Sequence, residues 1–127
     1  MTIRLVSTTV STRVVDRAPK GVPSKGDVLY VHSSLVNQVS QFGKPKGALV
    51  GHEYAIDTFL SATRARVKVQ VTLPGGTLVV AGQINRPTSS PVLPVTGGTG
   101  TFANARGTCS ESDGNKYAIN VYRLRLP

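Results

Sequence analysis

From Thr63 to Leu73 the chain reads TRARVKVQVTL, and its alternation is unbroken. Arg64, Arg66, Lys68, Gln70 and Thr72 fall on one side of an extended backbone; Ala65, Val67, Val69, Val71 and Leu73 fall on the other. Strand side chains point to opposite faces in turn, so a period of two predicts a half-buried β-strand and excludes an amphipathic helix. Pro74-Gly75-Gly76 then turns the chain into TLVVAGQI, residues 77 to 84, which predicts an antiparallel hairpin. The cations belong on a solvated outer face. That turns Val67 and Val69 toward whatever interior the sheet encloses.

The rest of the chain follows the same pattern. Residues 2 to 16 are rich in Val, Ile and Thr and predict one long, bent strand. Further strands are expected over 28 to 36, 48 to 57, 92 to 96, 100 to 109 and 115 to 126. Between them lie a Pro/Gly-dense turn at 18 to 27, a polar linker at 37 to 47 and a loop at 85 to 91. No capped window of helical period reaches ten residues, although 38 to 42 and 57 to 62 have room for one helical turn each. About eight short strands without covering helices solve their edge problem best by closing. The expected fold is all-β: an eight-stranded antiparallel β-barrel with a central apolar cavity, as a single domain over 1 to 127. A sandwich is the alternative, because the pattern does not show whether the first and last strands meet.

Composition narrows the function. No run approaches the eighteen or so apolar residues of a membrane helix, and the N-terminus has neither an apolar core nor a cleavage site. A cytoplasmic protein without a membrane partner is expected. Cys109 is the only cysteine, which excludes an internal disulfide, and it reads as a bystander thiol. A net charge of +9 admits nucleic acid, but the basic residues are scattered. With no Trp and 6% aromatic residues, base-stacking platforms are scarce, so the charge reads as a solubilising surface rather than a nucleic-acid site.

Residues 94 to 109, PVTGGTGTFANARGTC, carry the most distinctive local pattern. Gly98 to Ala103 fits the G-x-G-x-x-[GA] spacing of a dinucleotide loop. Its context does not fit. No helix-patterned segment follows, no apolar parallel strand precedes it, and Glu111 and Asp113 come too soon to hold a ribose. The glycines instead predict a strand that ends, kinks and reverses, using positive φ at Gly97, Gly98 and Gly100.

The segment PVTGGTGTFANARG resembles the hallmark shared by plant dirigent proteins and allene oxide cyclases. GDVLYVHSSLV (26 to 36), GGTLVVAGQI (75 to 84) and GNKYAINVYRLRL (114 to 126) are similar to their flanking strands. The resemblance implies an eight-stranded barrel around an apolar cavity, commonly a homotrimer, that steers reactive intermediates by holding one conformer. In the plant cyclases a Glu and an Asn on the first strand act on the epoxide. Ser11 and Arg13 stand near those positions here, so that carboxylate is missing. Arg106 matches the dirigent form of the hallmark. A short chain of this class looks like a bacterial type, in which small barrels close polyketide rings.

The expected function is therefore a cofactor-free cyclase or isomerase. It would bind an apolar polyketide-, polyene- or lipid-like intermediate and steer its ring closure in natural-product biosynthesis, as a homodimer or homotrimer. The alternative is a non-catalytic carrier or dirigent-like barrel. Tyr30-Val31-His32 and His52-Glu53-Tyr54 are mirror-image triplets, and pairing Tyr30 with Tyr54 places His32 opposite His52. Asn120 and Tyr122 share a face of the last strand. On one reading His32, Tyr54 and Tyr122 are catalytic, with Tyr30, His52, Asn120, Arg106, Val67 and Val69 binding substrate. On another, His and Tyr lie outside in a subunit interface or wet rim. Glu53 and Asp57 occupy the opposite face, so Glu53 as an interior acid or base is the rival of the His/Tyr set. No third ligand accompanies His32 and His52, so no metal is expected.

Overall fold

The computed structural model describes residues 1–17, 20–86, 90–114 and 116–127. Its strands are β1 (Thr2–Val15), β2 (Val28–Asn37), β3 (Leu49–Phe59), β4 (Arg64–Leu73), β5 (Gly76–Asn85), β6 (Val92–Gly100), β7 (Arg106–Asp113) and β8 (Ala118–Arg125). They form a closed barrel in sequence order, every neighbouring pair antiparallel. β1 closes the ring on β8, from Thr2↔Arg123 to Ser7↔Ala118. Closure leaves no free sheet edge along that stretch, which answers the question between barrel and sandwich. The described residues contain no helix, hence none long and apolar enough to cross a membrane.

The hairpin of β4 and β5 forms as the alternation requires. Ala65, Val67, Val71 and Leu73 are buried, while Arg64, Arg66 and Lys68 stay exposed. β1 bends at an irregularity between Thr9 and Ser11, as a strand of this length must to follow a barrel wall. Neither 38 to 42 nor 57 to 62 makes a helical turn. β3 runs on to Phe59, and the Ser61 hydroxyl accepts from the backbone N–H of Thr63 (3.3 Å) and Arg64 (3.1 Å) to close the next turn. In the other linker the Asn37 side-chain amide donates to the carbonyls of Gln41 (2.9 Å) and Lys44 (3.2 Å), holding an irregular loop. The loop expected over 85 to 91 lies partly outside the described residues, at 87 to 89, as does part of the turn at 18 to 27.

The glycine segment departs from expectation. β6 does not stop before the cluster but runs through Gly97 and Gly98 to Gly100. Of those three only Gly100 has positive φ, at 60°. The reversal is the turn of residues 101 to 104, so the return strand starts at Arg106 rather than near residue 100. Gly98 is required for space instead. A Cβ there would collide with the Phe102 carbonyl and stand 2.6 Å from that of Thr77. The turn thereby folds under the barrel and inserts Phe102, which is fully buried. Burying such a side chain contributes roughly 1.5–3 kcal/mol.

Packing divides the barrel along its axis. At the end where β1 begins and β8 finishes, Ile3, Leu5, Leu35, Leu73, Leu78 and Leu124 close against Phe102. The end where β2 begins and β7 finishes is not filled. The core therefore acts as a plug beneath a cavity.

Candidate active site

The cavity measures about 470 Å³. Val31, Ala55, Val67, Val69, Val80 and Leu93 form its apolar wall, with Val67 and Val69 where the alternation of β4 places them. At its mouth stand Arg86, Pro91, Asp113, Lys116 and Tyr117.

Polar groups converge on Glu53 in β3. The Ser7 hydroxyl of β1 donates to Glu53 Oε1 at 2.9 Å. The Asn120 amide of β8 donates to both carboxylate oxygens at 3.5 Å, and Tyr122 is a further hydrogen-bond partner. Glu53, Ser7, Asn120 and Tyr122 are all buried. Burial raises the Glu53 carboxyl above its ordinary range, against the opposing pull of the Ser7, Asn120 and Tyr122 hydrogen bonds. A carboxyl held this way retains its proton at a pH where a free glutamate has lost it. Burial likewise lifts the Tyr122 hydroxyl well above its usual value, leaving it a neutral donor.

A second carboxylate group lies nearer the mouth. Asp57 is raised by burial and lowered by Arg86, whose guanidinium donates to it at 3.1 Å. Glu111 of β7 is pushed up to about 8, first by burial and then by Asp113 beside it. Folding therefore favours protonated Glu111, whereas the unfolded chain releases that proton near pH 4.3. The resulting stabilisation is fully present below the unfolded value and is lost as pH rises through about 8. We expect wild type to lose at least about 2 kcal/mol relative to Glu111→Gln between pH 5 and 9. Paired thermal melts across that range measure this difference; parallel curves would refute it.

Cys109 lines the same wall, and burial pushes its thiol up to about 12. A thiol raised in this way is a poor nucleophile at neutral pH.

Tyr122 lines the cavity, but Tyr30, His32, His52 and Tyr54 do not. The register between β2 and β3 sets His32 against Tyr54, Ser34 against His52 and Tyr30 against Ile56, two residues from the expected pairing. The three rings do meet, but on the outer surface: His32 stacks on Tyr54 at 4.3 Å, and His52 meets both edge-on at 5.7 and 5.4 Å. Tyr30 lies beneath the Arg13 guanidinium at 4.2 Å. Cross-strand neighbours share a face, and β4 decides which. Glu53, Ala55 and Asp57 stand opposite Val71, Val69 and Val67, whereas Tyr54 and Ile56 stand opposite Gln70 and Lys68. Arg106 is also outside, exposed at the start of β7 and donating to the Ala105 carbonyl at 2.8 Å. Ser11 and Arg13 are exposed too; the β1 residues that reach the cavity are Ser7 and Thr9.

No family model and no curated protein sequence matches the chain. Solved structures do. A pyocyanin demethylase aligns over 98% of this chain and 100% of its own, with a TM-score of 0.82 at 20% identity. The pterocarpan synthase dirigent protein GePTS1 aligns over 98% and 82%, with a TM-score of 0.72 at 20% identity. The fold is that of the allene oxide cyclase and dirigent-like barrels. A third example of this barrel, the Diels–Alderase AbmU from Streptomyces koyangensis, aligns over 100% of this chain and 69% of its own, with a TM-score of 0.75 at 17% identity. Cyclases of natural-product biosynthesis and dirigent proteins thus stand among the structures that share this architecture.

Sequence reasoning missed Ser7, Glu111 and Asp113. The last two fell in the gap between the strands expected over 100 to 109 and 115 to 126, whereas β7 runs on to Asp113. The signal was present: in Thr108-Cys109-Ser110-Glu111-Ser112-Asp113 small hydroxyl residues alternate with the inward set.

Proposed function

We propose that this barrel is a small-molecule cyclase or isomerase in which Glu53 supplies the proton. The observation that carries the reading is Glu53 itself: a buried carboxyl, positioned by Ser7 and Asn120, at the inner end of a cavity with an apolar wall of Val31, Ala55, Val67 and Val69. Such a cavity folds a flexible apolar chain into one conformer and removes its hydration. Glu53 then donates a proton to an oxygen or unsaturated carbon of the substrate, and its conjugate base recovers one as the ring closes. Tyr122 and Asn120 hydrogen-bond the carboxylate in between. The cyclases and Diels–Alderases that share the fold support ring closure as the reaction class.

Intramolecular ring closure conserves mass, which defines the experiment. Incubated with a small-molecule extract of its source organism, the protein is expected to convert a compound into an isomer of equal mass and altered retention, followed by chromatography and mass spectrometry. Compounds that bind and are all recovered unchanged would make the barrel a carrier.

We further propose that the outer aromatic cluster is a contact between copies of this chain. Tyr54 is 52% exposed and Ile56 42%, on the side opposite the cavity wall of β3. Tyr54→Glu is expected to shift the sedimentation coefficient from that of an oligomer to that of a monomer while the melting midpoint is kept. A wild-type chain that sediments as a monomer would end the idea.

A further inference from the structure

The chain carries 15 Lys and Arg against 6 Asp and Glu, yet its cavity reverses that balance. Four of the six carboxylates, Glu53, Asp57, Glu111 and Asp113, line it, and only Arg86 and Lys116 of the basic residues do. Arg86 is taken by Asp57 at 3.1 Å. Among the described residues neither Glu111 nor Asp113 has an ion-pair partner. Crowding of these carboxyls beside an apolar wall is part of what pushes Glu111 up to about 8, so a cation seated among them relieves the crowding and takes the place of the Glu111 proton.

A second observation concerns a different residue. Asn120, 1% exposed, spends its amide nitrogen on Glu53, while its Oδ1 has no hydrogen-bond partner. A buried acceptor left unpaired is costly and calls for a donor. Asn120 stands directly across from Glu111 in the β7–β8 register, and both line the cavity. A neutral acceptor and a carboxyl group without an ion-pair partner thus lie side by side, and a positively charged N–H group satisfies the first and pairs with the second as it displaces its proton.

We propose that the cavity takes a protonated amine, its apolar body against Val67 and Val69 and its ammonium between Asn120 Oδ1 and the Glu111 and Asp113 carboxylates. This rests on the reading of the barrel as a small-molecule site and adds the charge of its ligand. The positive outer surface repels the same cations, so their accumulation inside comes from these carboxylates.

Three bicyclic probes of one shape and different charge test it: 2-naphthylmethylammonium, 2-naphthalenemethanol and 2-naphthoate, titrated into the full chain at pH 8, where Glu111 is close to its own midpoint and the amine keeps its proton. Binding is read by calorimetry and by the NMR shifts of the Val67 and Val69 methyls and the Asn120 side-chain amide. The ammonium is expected to bind at least tenfold more tightly than the alcohol, with the carboxylate weakest. Glu111→Gln and Asp113→Asn, made separately and together, are expected to erase that preference while leaving the alcohol's affinity within twofold. Equal or tighter binding of the alcohol or naphthoate overturns the proposal. So do an ammonium preference that survives the double variant and an ammonium probe that moves none of these resonances. Turnover is not read in this experiment, so a failed cyclase assay and a failed charge preference remain separate results.

Discussion

Replacing Glu53 with Gln is expected to lower kcat by about 10²–10⁴-fold, the range for removing a positioned general acid, while ligand affinity changes by less than about threefold. The substitution keeps the shape of the side chain. Its amide oxygen still accepts from Ser7, which lies 2.9 Å from Oε1 in the wild type. Its new N–H groups face Asn120, whose Oδ1 has no other partner, so that amide accepts in place of donating. The fold therefore has no reason to suffer, and the melting midpoint should hold or rise, because a buried ionisable group has been removed. What disappears is the proton. Turnover of the compound that wild type consumes, set beside its binding constant for each variant, separates the two effects. His32→Ala and Tyr54→Ala should stay within about twofold of wild-type kcat, because their rings lie outside the barrel. An E53Q protein with wild-type kcat would remove Glu53 from the chemistry altogether.

That contrast also marks where the sequence stops being informative. The barrel was legible because β4 alternates without interruption and every other strand has its own turn signals. The cavity's apolar lining followed from the same alternation. The facing of β3 did not, because both of its faces carry chemically interesting residues: His52 and Tyr54 on one, Glu53 and Asp57 on the other. A period of two separates the sets without saying which points inward. The deciding fact is long-range, namely the β3–β4 register that pairs Asp57 with Val67 and Ile56 with Lys68. Two residues of slippage between β2 and β3 preserve each face but change every partner, which is why Tyr54 rather than His52 stands directly across from His32. Ser7 and Glu111 were hidden for another reason. A serine in a Thr-rich strand and a glutamate between two serines look like surface, and only closure of β1 on β8 brings both into one cavity.

The glycines of the hallmark segment yield a prediction of similar size on stability. Gly107→Ala is expected to cost more than about 4 kcal/mol, the range reserved for an unavoidable clash, and to leave little folded protein at 37 °C. Gly107 has φ of +150°, and a Cβ on it would run into the Arg123 carbonyl oxygen with the Leu124 Cα only 3.0 Å away. Those atoms are the backbone of β8, which is paired to β7 from Arg106 to Asp113 and cannot retreat without opening the barrel. Gly97 is the control within the same segment. Nothing lies within 4 Å of its missing Cβ, and its φ is not positive. Gly97→Ala should therefore melt within a few degrees of wild type, or slightly higher, since it restricts the unfolded chain. Circular-dichroism melts and soluble yield of the two variants decide the matter, and equal midpoints would refute the steric account. A phosphate-binding loop predicts another outcome: both substitutions would spare the fold, and any loss would appear only as weaker nucleotide binding. The glycines of a cradle leave room for a ligand, whereas Gly107 leaves room for the neighbouring strand.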